Sequence, residues 1–223
     1  MTPAVAGLLL FAALSAIVDW AAVWRGGPMG RAMERIAKPV VMLALIAGAM
    51  VWPVDPGSEA AAVRPWLVAG LVASLAGDLL LLPPGRFVPG LVAFLLGHVA
   101  YLVAFAQLPG SVPWMVAGLV AAGVLIATVG RVLVRAARRT GLGGPVALYL
   151  VAICAMAVAA TRTGEPAAIL GAWLFVASDA MLGWGRLRAP TPGMPRGGGR
   201  GLGLAVMVTY HLAQGLLVLA LVA

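Results

Sequence analysis

The chain has 223 residues, of which 63% are hydrophobic and only 10% are charged, with a net charge of +8 and a mean hydropathy of +1.06. A soluble globular domain is close to half apolar and about one-quarter charged, so this composition excludes a soluble protein and indicates an integral membrane protein. The basic residues lie in short segments between long apolar runs, which favours membrane topology and anionic lipid over nucleic acid as the reason for the positive charge.

Eight apolar runs of about 17 to 23 residues follow one another, each long enough to cross a hydrocarbon core of about 30 Å. Turns rich in glycine and proline separate them, and the runs cover approximately residues 4–24, 37–53, 66–82, 87–108, 112–134, 145–161, 166–184 and 202–222. We therefore predict an all-α integral membrane protein, a single bundle of about eight transmembrane helices that forms one domain over residues 1–223.

Two segments of the chain need a separate interpretation. The first run has no basic residue before it and no small-x-small cleavage site near its end, so we expect a retained helix and not a signal peptide. Residues 185–200 are rich in glycine, proline and arginine and have no pattern that would pack, so a long mobile loop is expected there.

The distribution of lysine and arginine predicts the orientation in the membrane. If eight helices cross, the opposite side carries only Arg64 and Arg162, and the other 13 of the 15 basic residues share one side: Arg25, Arg31, Arg35, Lys38, Arg86, Arg131, Arg135, Arg138, Arg139, Arg186, Arg188, Arg196 and Arg200. Because basic loops stay in the cytoplasm, we expect both termini outside. The expected location is the bacterial cytoplasmic (inner) membrane, as a multi-pass protein.

Three aspartates, Asp19, Asp78 and Asp179, lie inside apolar runs. A carboxylate at the centre of a membrane helix costs roughly 2.5 to 3.5 kcal/mol on translocon scales, so such acids are paired, protonated or used in function. Asp78 and Asp179 both follow small or serine residues and lie about one turn from the same end of their helices. They are therefore the candidates for a functional site, whereas Asp19 is expected to be a structural partner of an arginine or a helix end.

Further polar residues are predicted to lie in the same half of the bundle, toward the cytoplasm. They are Lys38, Ser74, His98, Tyr101, Tyr149, Ser178, Tyr210 and Gln214. Because a polar side chain in lipid must find a partner, these residues should face inward and line one cavity. Lys38 as a snorkelling anchor, Tyr149 as an interfacial tyrosine and His98 as an interhelical hydrogen bonder are the structural alternatives, and His211 is assigned to structure.

Several short motifs occur in a fixed order along the chain. They are Ser74-x-x-Gly-Asp78-x-x-Leu81, Phe87-x-x-Gly90-x-x-x-Phe94-x-x-Gly-His98-x-x-Tyr101, Gly171-Ala-x-Leu-Phe175-x-x-Ser-Asp179-x-x-Leu182 and Thr209-Tyr-x-x-Ala-Gln214, together with Lys38-Pro39 and Tyr149-x6-Met156. In combination they resemble the YhhN family, which includes the animal transmembrane lysoplasmalogenases. The resemblance covers about residues 38–217 and leaves the first helix and the loop 185–200 outside it.

The resemblance implies an eight-helix hydrolase that cleaves the vinyl ether bond of lysoplasmalogens to a fatty aldehyde and a glycerophospho-alcohol, with Asp78 and Asp179 as the catalytic pair. This chemistry suits two carboxyl groups, because one can protonate carbon while the other stabilises the oxocarbenium ion and activates water. No cofactor and no metal is expected, since two histidines and one cysteine make a poor zinc set. The expected partners are a lysophospholipid substrate and bilayer lipids, with no nucleic acid.

The other polar residues are then predicted to bind this substrate. Lys38 has the charge and depth to bind the phosphate, and the two tyrosines Tyr149 and Tyr210 are expected to orient the glycerol or the ether oxygen. His98 and Tyr101 are expected to line the deeper cavity, with the lipid tail along the fourth and eighth runs.

Two other classes of protein remain open from the residues alone. Buried acids in a small helical bundle also fit a proton-coupled transporter of small solutes or lipids. The runs contain no paired mid-span Gly-Pro interruptions and no clear inverted repeat, which weighs against that class. The third class is a non-catalytic lipid-binding membrane protein, which would need no paired acids.

Overall fold

The computed structural model describes residues 1–83, 85–187 and 199–222. All regular structure in these ranges is helical, as predicted: α1 (Pro3–Arg25), α2 (Gly27–Val51), α3 (Glu59–Leu81), α4 (Phe87–Ala106), α5 (Val112–Leu125), α6 (Arg131–Arg138), α7 (Gly143–Arg162), α8 (Pro166–Leu187) and α9 (Gly199–Val222). A π-helical segment, Ile126–Gly130, joins α5 directly to α6. Val112–Arg138 is therefore one continuous rod, and the described chain forms eight rods.

Seven of these rods are long and apolar enough to cross a membrane, which makes the chain a multi-pass membrane protein. The exception is α2, whose first half carries the charged residues Arg31, Glu34, Arg35 and Lys38. Only the second half of α2 is strongly apolar, and this half coincides with the predicted second run. The sequence thus predicted the correct number of rods, while α2 is the rod whose composition differs from that of a full membrane span.

Three predicted connections are partly helical in the structure. Residues 27–36 and 59–65 were expected to be connections, but they are the first turns of α2 and α3. Hydropathy marks where a helix enters lipid, whereas the helix itself continues wherever backbone hydrogen bonds can form and charged side chains can reach solvent. Of the loop predicted at 185–200, residues 188–198 lie outside the described residues, and both of its ends are helical.

The turn between α1 and α2 consists of the single residue Gly26. Its φ of 61° lies in the left-handed region that glycine adopts without a steric penalty. Such short connections make consecutive helices antiparallel. The hairpins α1–α2, α3–α4 and α8–α9 have the most extensive contacts, and α7 packs against α4, α5 and α8.

This antiparallel order places eight helix ends at one end of the bundle, which we call the arginine-rich end. They are the carboxyl ends of α1, α3, α6 and α8 and the amino ends of α2, α4, α7 and α9. The arginines of the connections after α3 and after α6 lie there, as does Arg186. The rod Val112–Arg138 lies at the edge of the bundle, because most of its apolar surface is exposed and therefore faces lipid.

The two arginines at the opposite end have structural partners. Arg64 Nη1 donates to the carbonyl of Trp52 at 3.2 Å. Arg162 Nη2 donates to the carbonyls of Leu108 at 2.6 Å and Phe105 at 3.1 Å. Both side chains therefore satisfy carbonyls at helix ends or turns, which explains why these two cations occur away from the arginine-rich end.

A glycine on α3 fixes the position of an aromatic ring on α4. A Cβ at Gly77 would lie only 2.6 Å from Cδ2 of Phe94, so any side chain there would displace the ring. Gly70 constrains the Tyr101 ring in the same way, about two helical turns farther from the carboxyl end of α3. Small residues that allow close helix approach are typical of membrane bundles, and here they place Phe94 beside the buried aspartates.

Candidate functional site

The predicted polar residues lie in the interior of the bundle, and most of them are almost fully buried. Asp78 is 1% exposed, and His98 and Gln214 are fully buried. They do not line one cavity, however, because the structure divides them among separate hydrogen-bonded groups. Two of these groups contain an aspartate, and we call them the Asp78 group and the Asp179 group.

The Asp78 group connects α2, α3 and α9. Lys38 Nζ lies 3.0 Å from Asp78 Oδ1, and the Tyr210 hydroxyl donates to Asp78 Oδ2 at 2.7 Å. The ammonium also lies 6.0 Å from the centre of the Tyr210 ring, within reach of a cation–π interaction. Both carboxylate oxygens thus have a partner, and the side chain is closed off by its surroundings.

The Asp179 group connects α4, α7 and α8. The Tyr149 hydroxyl donates a short hydrogen bond to Asp179 Oδ2. His98 Nε2 lies 3.0 Å from the same oxygen and 2.9 Å from the Tyr149 hydroxyl. Oδ1 of Asp179 accepts no hydrogen bond from the described part of the chain, and the carboxyl group borders a pocket.

The tautomer of His98 follows from its two nitrogens. Nδ1 is buried and has no hydrogen-bond partner among the described residues, whereas Nε2 faces an acceptor. A proton on Nε2 fits this arrangement, because an N–H can donate to a carboxylate oxygen. His98 is therefore assigned as a donor to Asp179 through Nε2.

Two phenylalanines lie between the Asp78 group and the Asp179 group. The Phe175 ring packs edge to face against His98, with 4.7 Å between ring centres, and against Tyr210, with 5.5 Å. The Phe94 ring packs in the same manner against Phe175 and Tyr210. Within the described ranges no hydrogen bond joins the two aspartates, so the predicted catalytic pair belongs to two groups in contact through aromatic rings.

An elongated pocket opens beside the Asp179 group. It encloses about 720 Å³ of space, part of it open to the surroundings. The walls come from α3, α4, the rod Val112–Arg138, α7 and α8, and among the described residues that line it the polar side chains are Tyr149 and Asp179. On α8 the lining extends from Val176 to Leu187, which corresponds to about 16 Å at the helical rise of about 1.5 Å per residue. Asp179 lies near the inner end of this length, and Leu187 lies near the arginine-rich end.

Of the predicted substrate-binding residues, only Tyr149 is among the described residues that line this pocket; the others are Lys38, Ser74, His98, Tyr101, Ser178, Tyr210 and Gln214. Tyr101 donates to Gln214 Oε1 at 2.6 Å, and Ser178 donates to the carbonyl of Val206 at 3.1 Å. Ser74 is fully buried at the contact with Gly97. These contacts hold α3, α4, α8 and α9 together. Helical spacing placed these residues on inward faces, but an inward face meets neighbouring helices over most of its width.

Asp19 has an unusual environment on α1. It is fully buried, and neither carboxylate oxygen has a hydrogen-bond partner among the described residues. The expected arginine partner is thus not found there, and the cation whose charge acts on Asp19 is Lys38. His211 accepts a hydrogen bond from Trp20 Nε1 at 3.1 Å, which fits its assignment to structure.

Sequence reasoning missed the outer wall of the pocket. Leu125, Val129 and Leu133 recur every fourth residue along the rod and line the pocket from that side. The spacing was present in the sequence, but an apolar stripe on a membrane helix faces lipid just as readily as a cavity. The π-helical segment lies within this stripe, as such segments often do at functional sites.

Comparison with known proteins points to one family. The model of the YhhN family matches residues 33–221. The human (Homo sapiens) protein lysoplasmalogenase TMEM86B is 32% identical over 154 residues, which are 69% of this chain and 62% of that protein. The chain therefore spans less than two-thirds of the length of this relative. No solved structure matches the chain.

Proposed function

Because the chain belongs to the YhhN family, we propose that it is a membrane hydrolase of the lysoplasmalogenase type. The proposed reaction cleaves the vinyl ether bond of a lysoplasmalogen-type lysophospholipid and releases a fatty aldehyde and a glycerophospho-alcohol. One observation carries the proposal: the carboxyl group of Asp179 lies on the wall of a pocket that is otherwise almost wholly apolar. A vinyl ether has a hydrocarbon chain beside the bond that must be protonated, and this pocket offers both environments.

The shape and lining of the pocket support a single-chain lipid as the ligand. Each methylene group that leaves water for apolar walls contributes about 0.8 kcal/mol. Two exposed arginines each directly precede a residue that lines the pocket: Arg86 precedes Phe87, and Arg186 precedes Leu187. We therefore propose that the phosphate lies at the arginine-rich end, and not at Lys38, whose ammonium is engaged by Asp78.

The chemistry assigned to Asp179 is general acid and then general base catalysis. In its protonated form Asp179 gives the Oδ1 proton to the second carbon of the alkenyl chain, which leaves an oxocarbenium ion at the first carbon and a carboxylate on the protein. Water then adds to the first carbon and returns a proton to Asp179. The hemiacetal breaks down to aldehyde and alcohol, so the protein is regenerated and water is the only other reactant. Such catalysis contributes typically 10² to 10⁴ in rate.

Tyr149 and His98 have a supporting role in this scheme. Both donate to Oδ2 of Asp179, which fixes the orientation of the carboxyl group and leaves Oδ1 as the atom that meets the substrate. A carboxyl group that accepts on one oxygen can still donate from the other. The two residues are therefore proposed to orient Asp179, and Tyr149 also forms part of the pocket wall.

The test is aldehyde release by the purified protein in detergent or liposomes, in D₂O. Protonation at carbon places one deuterium on the carbon next to the aldehyde, which mass spectrometry detects after trapping. A lysolipid with a saturated alkyl ether is the control and should give no aldehyde. Release of aldehyde without deuterium would contradict the carbon-protonation mechanism, and no turnover of any lysoplasmalogen would contradict the substrate.

In the proposed orientation both termini lie on the outer side of the cytoplasmic membrane. The arginine-rich end and the pocket then lie in the cytoplasmic half of the bilayer. A reporter protein that works only outside the cytoplasm should then be active when it is fused to the C-terminus. The same reporter fused to the connection after α6 should be inactive. A cytoplasmic signal at the C-terminus would reject this orientation.

A further inference from the structure

Lys38 and Asp78 form a buried ion pair that lies apart from the pocket. Their charged atoms are 3.0 Å apart, and the two side chains are 10% and 1% exposed. Neither residue lines the pocket next to Asp179. An acid that exchanges protons with a substrate must reach it, and the position of Asp78 gives it no such access.

The partners of the two aspartates differ in charge. The Asp78 carboxylate balances an ammonium, so the loss of one charge would leave the other buried and uncompensated, which is strongly destabilising. The charged groups that act on Lys38 are Asp78, Glu34 and Asp19. The partners of Asp179 are a phenol and an imidazole, and neither is an ammonium group like that of Lys38.

The ion pair is linked to the Asp179 group through packed rings. Asp78 accepts from the Tyr210 hydroxyl, the Tyr210 ring packs against Phe175, and Phe175 packs against His98 at 4.7 Å. His98 donates to Asp179. A displacement of Tyr210 would therefore move the surface against which the His98 ring rests.

We propose that Asp78 is a positioning residue for this reaction: its ion pair with Lys38 holds Tyr210 and Phe175, and through them His98, so that Asp179 alone exchanges protons with the substrate. The activity part of this inference rests on the proposed function. Asp78 then does not share the acid and base roles with Asp179, contrary to the prediction from the sequence. Lys38 then does not bind the phosphate.

The experiment compares the single variants Lys38→Met and Asp78→Asn with the double variant that carries both changes. Each single variant leaves one buried charge and should lose at least about tenfold in kcat, with a lower melting temperature in detergent. The double variant removes both charges and should regain kcat to within about tenfold of the wild type, because coupled residues are not additive. Its KM and pH–rate profile should match those of the wild type, since Asp179 is unchanged.

The same set is made in an Asp19→Asn background, because Asp19 also acts on Lys38 and would lose its cation. Tyr210→Phe is the second probe, since it keeps the ring but removes the hydroxyl that contacts Asp78. It should fold and lose kcat to about the same extent as the single variants while the pH–rate profile stays in place, because the contact between the ion pair and the Tyr210 ring is removed. Wild-type kcat in Tyr210→Phe would overturn the positioning role.

Two further results would overturn the proposal. A folded double variant as inactive as Asp179→Asn would assign proton transfer to Asp78. A double variant with restored kcat but a KM raised more than about tenfold would assign Lys38 to the phosphate. If the wild-type protein turns over no lysoplasmalogen, the proposed function fails, and only the melting temperatures test whether Lys38 and Asp78 stabilise the protein as a pair. A double variant no more stable than the less stable single variant would then show that they do not.

Discussion

Asp78 and Asp179 are the same residue type, follow similar motifs and were predicted to lie at a similar depth, yet their surroundings differ in almost every respect. Asp78 is paired with an ammonium and sealed among α2, α3 and α9. Asp179 accepts from a phenol and an imidazole and borders an apolar pocket. The cost of burying a carboxyl group singles out a residue as a candidate for function. The neighbours of that carboxyl group determine whether it can exchange a proton.

The two aspartates also differ in their capacity for proton exchange. Asp78 cannot give or take a proton without unbalancing the charge of Lys38, which is buried with it. Asp179 lies beside a phenol and an imidazole and borders the pocket. Of the two aspartates, Asp179 is therefore the one proposed to exchange protons with a substrate, because a catalytic acid must reach it.

The largest effect is expected for Asp179→Asn. This change removes the proton donor and keeps size and hydrogen-bonding capacity, so kcat should fall by about 10² to 10⁴ in a protein that stays folded. The measurement is the rate of aldehyde release. Asp55→Asn, the same change at an exposed aspartate in the connection before α3, is the matched control and should keep full activity. An Asp179→Asn variant with wild-type kcat would remove the difference between the two aspartates.

Gly183 tests whether the pocket beside Asp179 holds the hydrocarbon chain. It lines the pocket one helical turn from Asp179, and a Cβ there would lie 3.7 Å from Leu133, an ordinary contact distance. Gly183→Leu should fit the backbone but narrow the pocket, so kcat/KM should fall on the order of tenfold for long chains and less for short ones. Gly123→Leu, on the open face of α5, is the control. Equal losses for all chain lengths would argue against a chain in this pocket.

Tyr149→Phe examines the support of Asp179. The change removes one donor to Oδ2 and leaves the ring in the pocket wall, so kcat should fall about tenfold while KM changes little. Steady-state kinetics with a lysoplasmalogen gives both constants. A rise in KM at constant kcat would instead show that the hydroxyl binds the substrate.

The smallest effect on activity is expected for Tyr101→Phe, the same chemical change outside both groups. Tyr101 donates to Gln214 in the bundle interior, and loss of the hydroxyl leaves a buried acceptor without a partner. The free energy of unfolding should therefore fall by about 1 to 3 kcal/mol, while kcat stays within about threefold of the wild type. Denaturation in mixed micelles measures the first quantity. A loss of activity as large as in Tyr149→Phe would show that the deeper residues contribute to the reaction.

The sequence predicted the helical membrane class, the number of rods and the buried acids, because these depend on local properties. An apolar run long enough to cross lipid forms a helix whatever surrounds it. A carboxyl group within such a run stands out by its cost, as Asp78 and Asp179 did. The early starts of α2 and α3 were missed, since charged first turns carry no hydropathy signal.

The roles of individual polar residues depended on the tertiary structure. Lys38, Tyr149 and Tyr210 all lie on inward faces, and the spacing along one helix could not show that Lys38 and Tyr210 meet Asp78 while Tyr149 meets Asp179. The pocket itself is formed by five elements of the chain, including an apolar stripe on the rod Val112–Arg138 that would look the same if it faced lipid. Periodicity along a helix specifies a direction from its axis, whereas partners and cavities depend on which other helix lies in that direction.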